Sequence, residues 1–343
     1  DLVGKWLAMR KNIKPGSGDW KTLVPTEPVL FEDAGLAVLR QGKTADEQIM
    51  VTLDYGASLF HGHLDRNNIT VSAFGKTFTH GTGSLYNVGS GGMTRNRDAD
   101  LEAFVKGGSL GNNVILVDAL DQLRAVGELK QWADDPARQI AVAHVGRIAP
   151  GVAHTRGVML SHGVVIVIDR VVSDQQHTYD FVYHNFGDLT PAEGWSATAV
   201  DKPLAESANY PSIGNLRRLT GEGALKLNWD LTAQSNNPGE AAQPVRLNLW
   251  QMPLEGSEIY LGITGMNNPN TNTVPDATPT LLRRVKSDVA HFVTVLEPTR
   301  GESRIVGVEA ITVDPHDTAV GVRVELENGQ AIEWSVRDWP SSP

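Results

Sequence analysis

The chain has no cysteine in its 343 residues. That excludes a disulfide framework and any metal site built on thiolates, and leaves the compartment open. Long apolar runs are missing too. The longest, 163–172, is interrupted by Asp169 and Arg170, so it is too short and too charged to cross a bilayer as a helix. The first residues, DLVGKWLAMRKN, lack the apolar centre and small-residue cleavage site of a secretory signal. Either a signal has been removed or the chain begins inside a longer precursor. Basic charge is in deficit, 30 Lys and Arg against 40 Asp and Glu, which disfavours a nucleic-acid partner. A local basic cleft for an anionic substrate is still compatible with that balance. The phosphate-binding GxxxxGK[ST] loop, the HExxH metalloprotease motif and a dinucleotide fingerprint between strand and helix are absent.

Helical periodicity is scarce. Residues 2–11 read as a short helix or the end of one, stopped by Pro15 and Gly16, and 128–133 as another turn or two. Nearly everything else reads as short strands separated by Gly, Pro, Asn and Asp. Clear cases are 36–40, 48–54, 69–74, 114–118, 140–145, 164–171 and 178–184, then 225–229, 245–250, 258–263, 291–296, 320–326 and 332–336. VTLDYG and VRVELE alternate apolar and polar, as a sheet with one dry face requires, whereas VVIVID is apolar almost throughout and reads as central. The expected fold is therefore all-β, a large antiparallel sandwich of two sheets with a short N-terminal helical lead-in. The lead-in takes residues 1–25 and the sandwich 26–343, with a sub-boundary or surface excursion near 189–223. The polar, Pro-rich stretch 265–280 reads as a mobile loop.

Chemistry concentrates in 50–122. In SLFHGHLDRNNITVSAFG, His61 and His63 stand two apart and share a strand face, with Gly62 allowing close approach. His80 follows one strand later beside a Gly-rich turn. Imidazoles at 61, 63 and 80 converging on one concave edge would suit zinc. Hydrogen-bonded histidines at a sheet rim explain the same spacing. His61 also suits general acid or base work, with Tyr86 as a partner acid, though a tyrosine after GTGS equally serves as strand-start packing. Arg66, Arg95 and Arg97 could hold a carboxylate or sulfate in bidentate fashion, or be ordinary surface arginines. Among the other histidines, those at 154, 162, 177 and 184 mostly read as structural, and His184 is the one expected to face a cleft.

The order of the segments FEDAGLAVLR, HGHLDRNNITVSAFGKTF, HGTGSLY, NNVILVDALDQ, HTRGVML, VVIVIDRVVSD and FVTVLEP resembles the C-terminal half of the heparinase II/III-like polysaccharide lyases. That resemblance implies an N-terminal helical toroid, absent from this chain, followed by an antiparallel sandwich. It implies β-elimination at a uronic acid: a base takes the proton α to the carboxylate and an acid protonates the leaving glycosidic oxygen. By position, His61 resembles the family's active-site histidine and His63 a metal-ligand histidine. His80 stands where an aspartate ligand is usual and Asn112 where a histidine ligand is usual. An amide oxygen is a poor zinc ligand, so Zn²⁺ occupancy is in question.

The expected function is the sandwich portion of a lyase acting on a uronic-acid polymer such as alginate or a glycosaminoglycan, secreted or periplasmic. The alternative is a non-catalytic carbohydrate-binding or assembly module, and a metal-dependent hydrolase using His61, His63 and His80 is a third reading. Expected partners are an acidic polysaccharide and the helical toroid of the same precursor; a homodimer is left open.

Overall fold

The computed structural model describes residues 24–57, 63–79, 108–190, 193–207, 210–232, 244–268, 273–312, 320–336 and 339, and the side chains among these except at 265–268, 273–277 and 312. Three antiparallel sheets are layered on one another. The first has five strands in sequence order, β1 (Val29–Phe31), β2 (Leu36–Gln41), β3 (Ile49–Asp54), β4 (Asn68–Ala73) and β5 (Lys76–Thr79).

The central sheet has twelve strands: β6 (Ile115–Val117), β7 (Glu128–Asp135), β8 (Arg138–Ala149), β9 (Val152–Ser161), β10 (Val164–His184), β11 (Asp188–Thr190), β12 (Ser196–Ala199), β13 (Gly214–Thr220), β14 (Leu225–Asp230), β15 (Arg246–Gln251), β16 (Glu258–Asn268) and β17 (Thr273–Thr299). Its main path runs β11-β14-β15-β17-β10-β9-β8-β7. The third sheet is β18 (Ile305–Thr312), β19 (Val320–Leu326) and β20 (Ala331–Val336).

The layering explains the two sequence patterns. Along β10, Val165, Val167 and Val171 face the inner core shared with the five-stranded sheet. Val164, Ile166 and Ile168 face the outer core under β19 and β20. A strand covered on both faces has no use for polar alternation, so it reads as a continuous apolar run. On β3, by contrast, Ile49, Val51 and Leu53 point inward while Met50, Thr52 and Asp54 are half-exposed. The fold is thus the all-β sandwich expected, with a small third sheet added outside.

Three local expectations change. Residues 128–133 lie in β7, whose outward positions are simply exposed at the sheet edge. In the stretch read as a loop, 265–268 and 273–280 belong to the β16–β17 hairpin, with Gly265 opposite Ala277 and Met266 opposite Asp276, and 269–272 lie outside the described residues. The separate strands read at 164–171 and 178–184 are one strand, whose pairing with β17 shifts register between Val172 and His177. Stretch 189–223 adds β11, β12 and β13 to the central sheet and sends Tyr210, Ile213, Leu216 and Leu219 into the inner core. The helix read at 2–11 in the 1–25 lead-in lies outside the described residues.

Candidate active site

At one end of the five-stranded sheet, Asp54 closes β3 opposite Asn68, which opens β4. The chain between them carries the His-x-His segment. His61, His80, Tyr86, Arg95 and Arg97 lie outside the described residues; His63, Arg66 and Asn112 are inside. His63 is half-buried on the rim, and the turn that follows it descends into the protein.

Arg66 is 3% exposed. Its Nη2 donates to the Asp65 carboxylate at 2.7 Å and to the His63 carbonyl at 3.1 Å, and its Nη1 stands 3.8 Å from Asp54. The guanidinium therefore braces the His63 turn from beneath. Asp54 has its pKa raised, first by burial and then by the neighbouring Asp65, against the opposing pull of Arg66, the Gly56 N–H and His63.

Asn112 follows a 3₁₀ turn, Ser109–Gly111, and is fully buried. Its amide nitrogen donates to the Gly108 carbonyl at 3.0 Å, and its Oδ1 meets no hydrogen-bond donor among the described residues. The turn is bound to the His63 segment. Ser109 Oγ donates to the Leu64 carbonyl, and Gln122 accepts from the Arg66 N–H at 2.7 Å. GGSLG at 107–111 has the G-x-S-x-G spacing of a nucleophile elbow. Ser109 is nevertheless buried, donating to Leu64 and accepting from the Gln122 N–H at 2.8 Å, which makes it a tie between segments.

Beneath both segments lies a buried polar cluster that the sequence reading did not assemble. Arg156 and Asp169 face each other across β9 and β10, both fully buried. Arg156 Nε donates to Asp169 Oδ1 at 2.6 Å and Nη2 to Oδ2 at 3.1 Å. Its Nη1 donates to the Asn67 carbonyl at 2.6 Å and to the Asn113 carbonyl. One guanidinium thus joins the end of the His63 turn to the residue after Asn112.

His154 Nε2 is 2.6 Å from Asp169 Oδ1, and its Nδ1 is 3.4 Å from the Asn67 amide nitrogen. Burial holds His154 below its ordinary pKa, against the pull of Asp169. Neutral imidazole with its proton on Nε2 satisfies both contacts, donating to the carboxylate and accepting from the amide. Burial acts to raise Asp169, but the charge of Arg156 and the bonds from His154 and Arg156 outweigh it and hold the carboxyl below the usual range.

Asn113 completes the cluster. Its N–H donates to Asn68 Oδ1 at 2.9 Å, and its Nδ2 donates to the Ile69 carbonyl at 2.9 Å and to Thr79 Oγ1 at 2.6 Å. Its Oδ1 accepts from the His184 N–H at 2.8 Å. His184 is fully buried in this cluster, so its backbone role here replaces the cleft-facing one expected of it. Opposite charges placed mid-strand in HTRGVML and VVIVIDR were the available signal.

Among the described residues no three His, Asp or Glu side chains are grouped to hold a metal. Of the expected ligand set, His63 offers imidazole and Asn112 a buried amide oxygen, a donor better matched to hard cations or N–H groups than to zinc.

No protein-family profile and no curated protein matches the sequence. Solved structures do match. Heparinase III, the BT4657 gene product, superposes with a TM-score of 0.64 at 12% identity over 92% of this chain and 43% of its own. Another heparinase III gives 0.63 at 14% identity, covering 92% and 43%. Heparan sulfate lyase HepC from Pedobacter heparinus gives 0.63 at 11%, covering 91% and 43%. This chain has the fold of a heparinase III-type β-sandwich. It spans less than half the length of each of these lyases.

Proposed function

We propose that the chain is the sandwich portion of a polysaccharide lyase that cleaves a uronic-acid-containing polymer by β-elimination, together with a helical domain of the same precursor. The observation that carries this reading is the heparinase III-type fold, with its His63 and Asn112 segments tied side by side at one sheet end by Arg156 and Asn113. A rim braced in this way spends little of its binding energy on ordering itself, which general acid–base work requires.

In the proposed reaction a base takes the proton on the carbon α to the uronate carboxylate. The electron pair left behind forms the carbon–carbon double bond and expels the glycosidic oxygen from the β carbon, and that oxygen takes a proton from an acid. His61 and Tyr86 are the proposed base and acid, and Arg66, Arg95 and Arg97 the proposed carboxylate-side groups. Arg66 would act through the turn it braces. Charge building on the carboxylate in the transition state is what prearranged donors at this rim would stabilise. Zn²⁺, if carried, would take His63 and His80 as imidazole ligands with Asn112 nearby, and would supply positive charge beside the carboxylate. We place the protein outside the cytoplasm, where such polymers are met.

The test is ultraviolet absorbance during incubation of the full-length precursor with alginate and with heparan sulfate. Elimination creates an unsaturated, absorbing uronate; no rise with any uronate polymer would overturn the reading and leave a binding module. His61→Ala should lower the rate at least a hundredfold with the thermal midpoint unchanged. Full activity in that variant would remove His61 from the mechanism.

A further inference from the structure

At the opposite end of the five-stranded sheet, where all three sheets meet, lies an open cleft of about 570 Å³. Gln41 pairs with Ile49 at this end, and Leu36 pairs with Asp54 at the rim end. Six residues of strand put the two sites on the order of 20 Å apart. The cleft belongs to neither the rim nor its buried cluster.

Two hairpin turns border it, and both carry a backbone oddity. Phe74 and Gly75 connect β4 to β5 with φ of 55° and 73°; His162 and Gly163 connect β9 to β10 with φ of 51° and 75°. Asn and Gly occupy the first position of such turns at little cost. A ring residue there costs ~1–2 kcal/mol in left-handed conformation. Two unrelated hairpins bear that cost at one cleft, and both rings line it. Strain that recurs at one place points to a role for the side chains it positions.

The third wall is the turn after β17. Arg300 sets its guanidinium 5.1 Å from the Phe74 ring centre. Its one ionic contact among the described residues is Asp46, at 4.0 Å. A cation–π contact of this kind uses none of the guanidinium N–H donors, which stay available to a planar anion. Arg304 is already committed, to the buried Glu297 at 3.3 Å and to the His162 carbonyl at 3.1 Å. Glu297 also accepts from Ser303 Oγ at 2.6 Å and from the Arg304 N–H at 3.0 Å, so the turn carrying Arg300 is anchored from inside. Glu47, Glu302 and Glu327 also line the cleft. One available guanidinium beside carboxylates fits a ligand with one negative charge per unit and disfavours a polysulfated one.

We propose that this cleft is a second saccharide-binding site, taking a uronate unit of an unsulfated acidic chain, with the sugar carboxylate on Arg300 and the ring beside Phe74 and His162. The choice of a saccharide over other carboxylates rests on the lyase reading; the site itself does not require turnover. It would hold polymer on the side of the molecule remote from the rim.

The experiment is titration calorimetry of this chain with a mannuronate tetrasaccharide, a heparan sulfate tetrasaccharide and maltotetraose. Saturable binding of the mannuronate is expected, weakened at least tenfold by Arg300→Ala and by His162→Gly, and tighter than for the other two sugars. Both cleft substitutions are at half-exposed or exposed positions, and His162→Gly relieves strain, so its thermal midpoint should hold or rise. No mannuronate binding, binding indifferent to Arg300→Ala, binding lost only in His63→Ala, or equal binding of maltotetraose would each overturn the site. Cleft binding without elimination by the full precursor would sink the lyase reading and leave this one standing.

Discussion

Arg156 and Asp169 show what a single buried pair is asked to do. Arg156 is fully enclosed and spends its donors on one carboxylate and two backbone carbonyls. Removing the counter-charge with Asp169→Asn leaves a desolvated guanidinium and should cost about 3–5 kcal/mol, read from denaturant unfolding. The pair was legible in part. The tight turn at His162–Gly163 fixes Ser161 opposite Val164, and counting back from it puts Arg156 opposite Asp169. That these two charges would then reach Asn67 and Asn113 depends on how another sheet packs, which no local pattern records.

Histidine gives the second prediction at this scale. His144, His154 and His291 are each held below the ordinary 6.5 by burial, His291 to about 4 with Arg170 adding to the effect. The unfolded chain therefore takes up protons near pH 6.5 that the folded chain refuses until the pH is lower. Stability should be full above pH 7 and fall as pH drops below 6.5, at a limit of ~1.4 kcal/mol per pH unit for each histidine. Urea midpoints at pH 7, 6 and 5 should decline steadily, and less steeply in His291→Gln. Level midpoints would reject the assignment.

At the scale of elements, the outer sheet is held on the central one through the outer apolar core, in which β9 and β20 come close. Gly157 sits in β9 beneath Trp334 of β20, and a Cβ there would lie 2.6 Å from the indole ring. Gly157→Ala should cost about 1–3 kcal/mol by overpacking. In a Trp334→Leu background, thermal unfolding should show the cost largely gone, because the two sites are coupled.

Alternating strands such as β3 and β19, and the two-faced β10, were readable because burial pattern and period coincide. The misread elements failed for identifiable reasons. β7 is an edge strand whose register with β8 shifts between Leu129 and Gln131, so 128–133 lacks a regular strand period. The end of the β16–β17 hairpin pairs through its backbone, so its Pro, Asn and Thr content did not announce a strand. At the site, His63 could be picked out by its His-x-His spacing and Asn112 only by its position in the resemblance, whereas the role of Asn113 lies in four hydrogen bonds to distant segments.

Those four bonds matter for the whole molecule. Asn113 joins β4 and the Thr79 end of β5 to His184 at the end of β10, so it couples the five-stranded sheet to the central one at the rim. Arg156 and Gln139 add hydrogen bonds between the same two sheets, to Asn67 and to Arg40, and a further coupling is apolar, through Ala37, Leu39, Val51, Leu53 and Val71 packed in the inner core. The apolar contact is non-directional and would tolerate a small slide of one sheet over the other. The amide network fixes position, because its donors and acceptors have few alternative partners once buried. Asn113→Ala should therefore do two separable things. It should lower global stability by roughly 2–4 kcal/mol, from the partners left unsatisfied. It should also speed amide hydrogen exchange in β4 and at 63–68 well beyond that in β19 and β20, which sit across the central sheet and share no bond with Asn113. Uniform acceleration in all three sheets would show that Asn113 contributes stability without holding the rim in place.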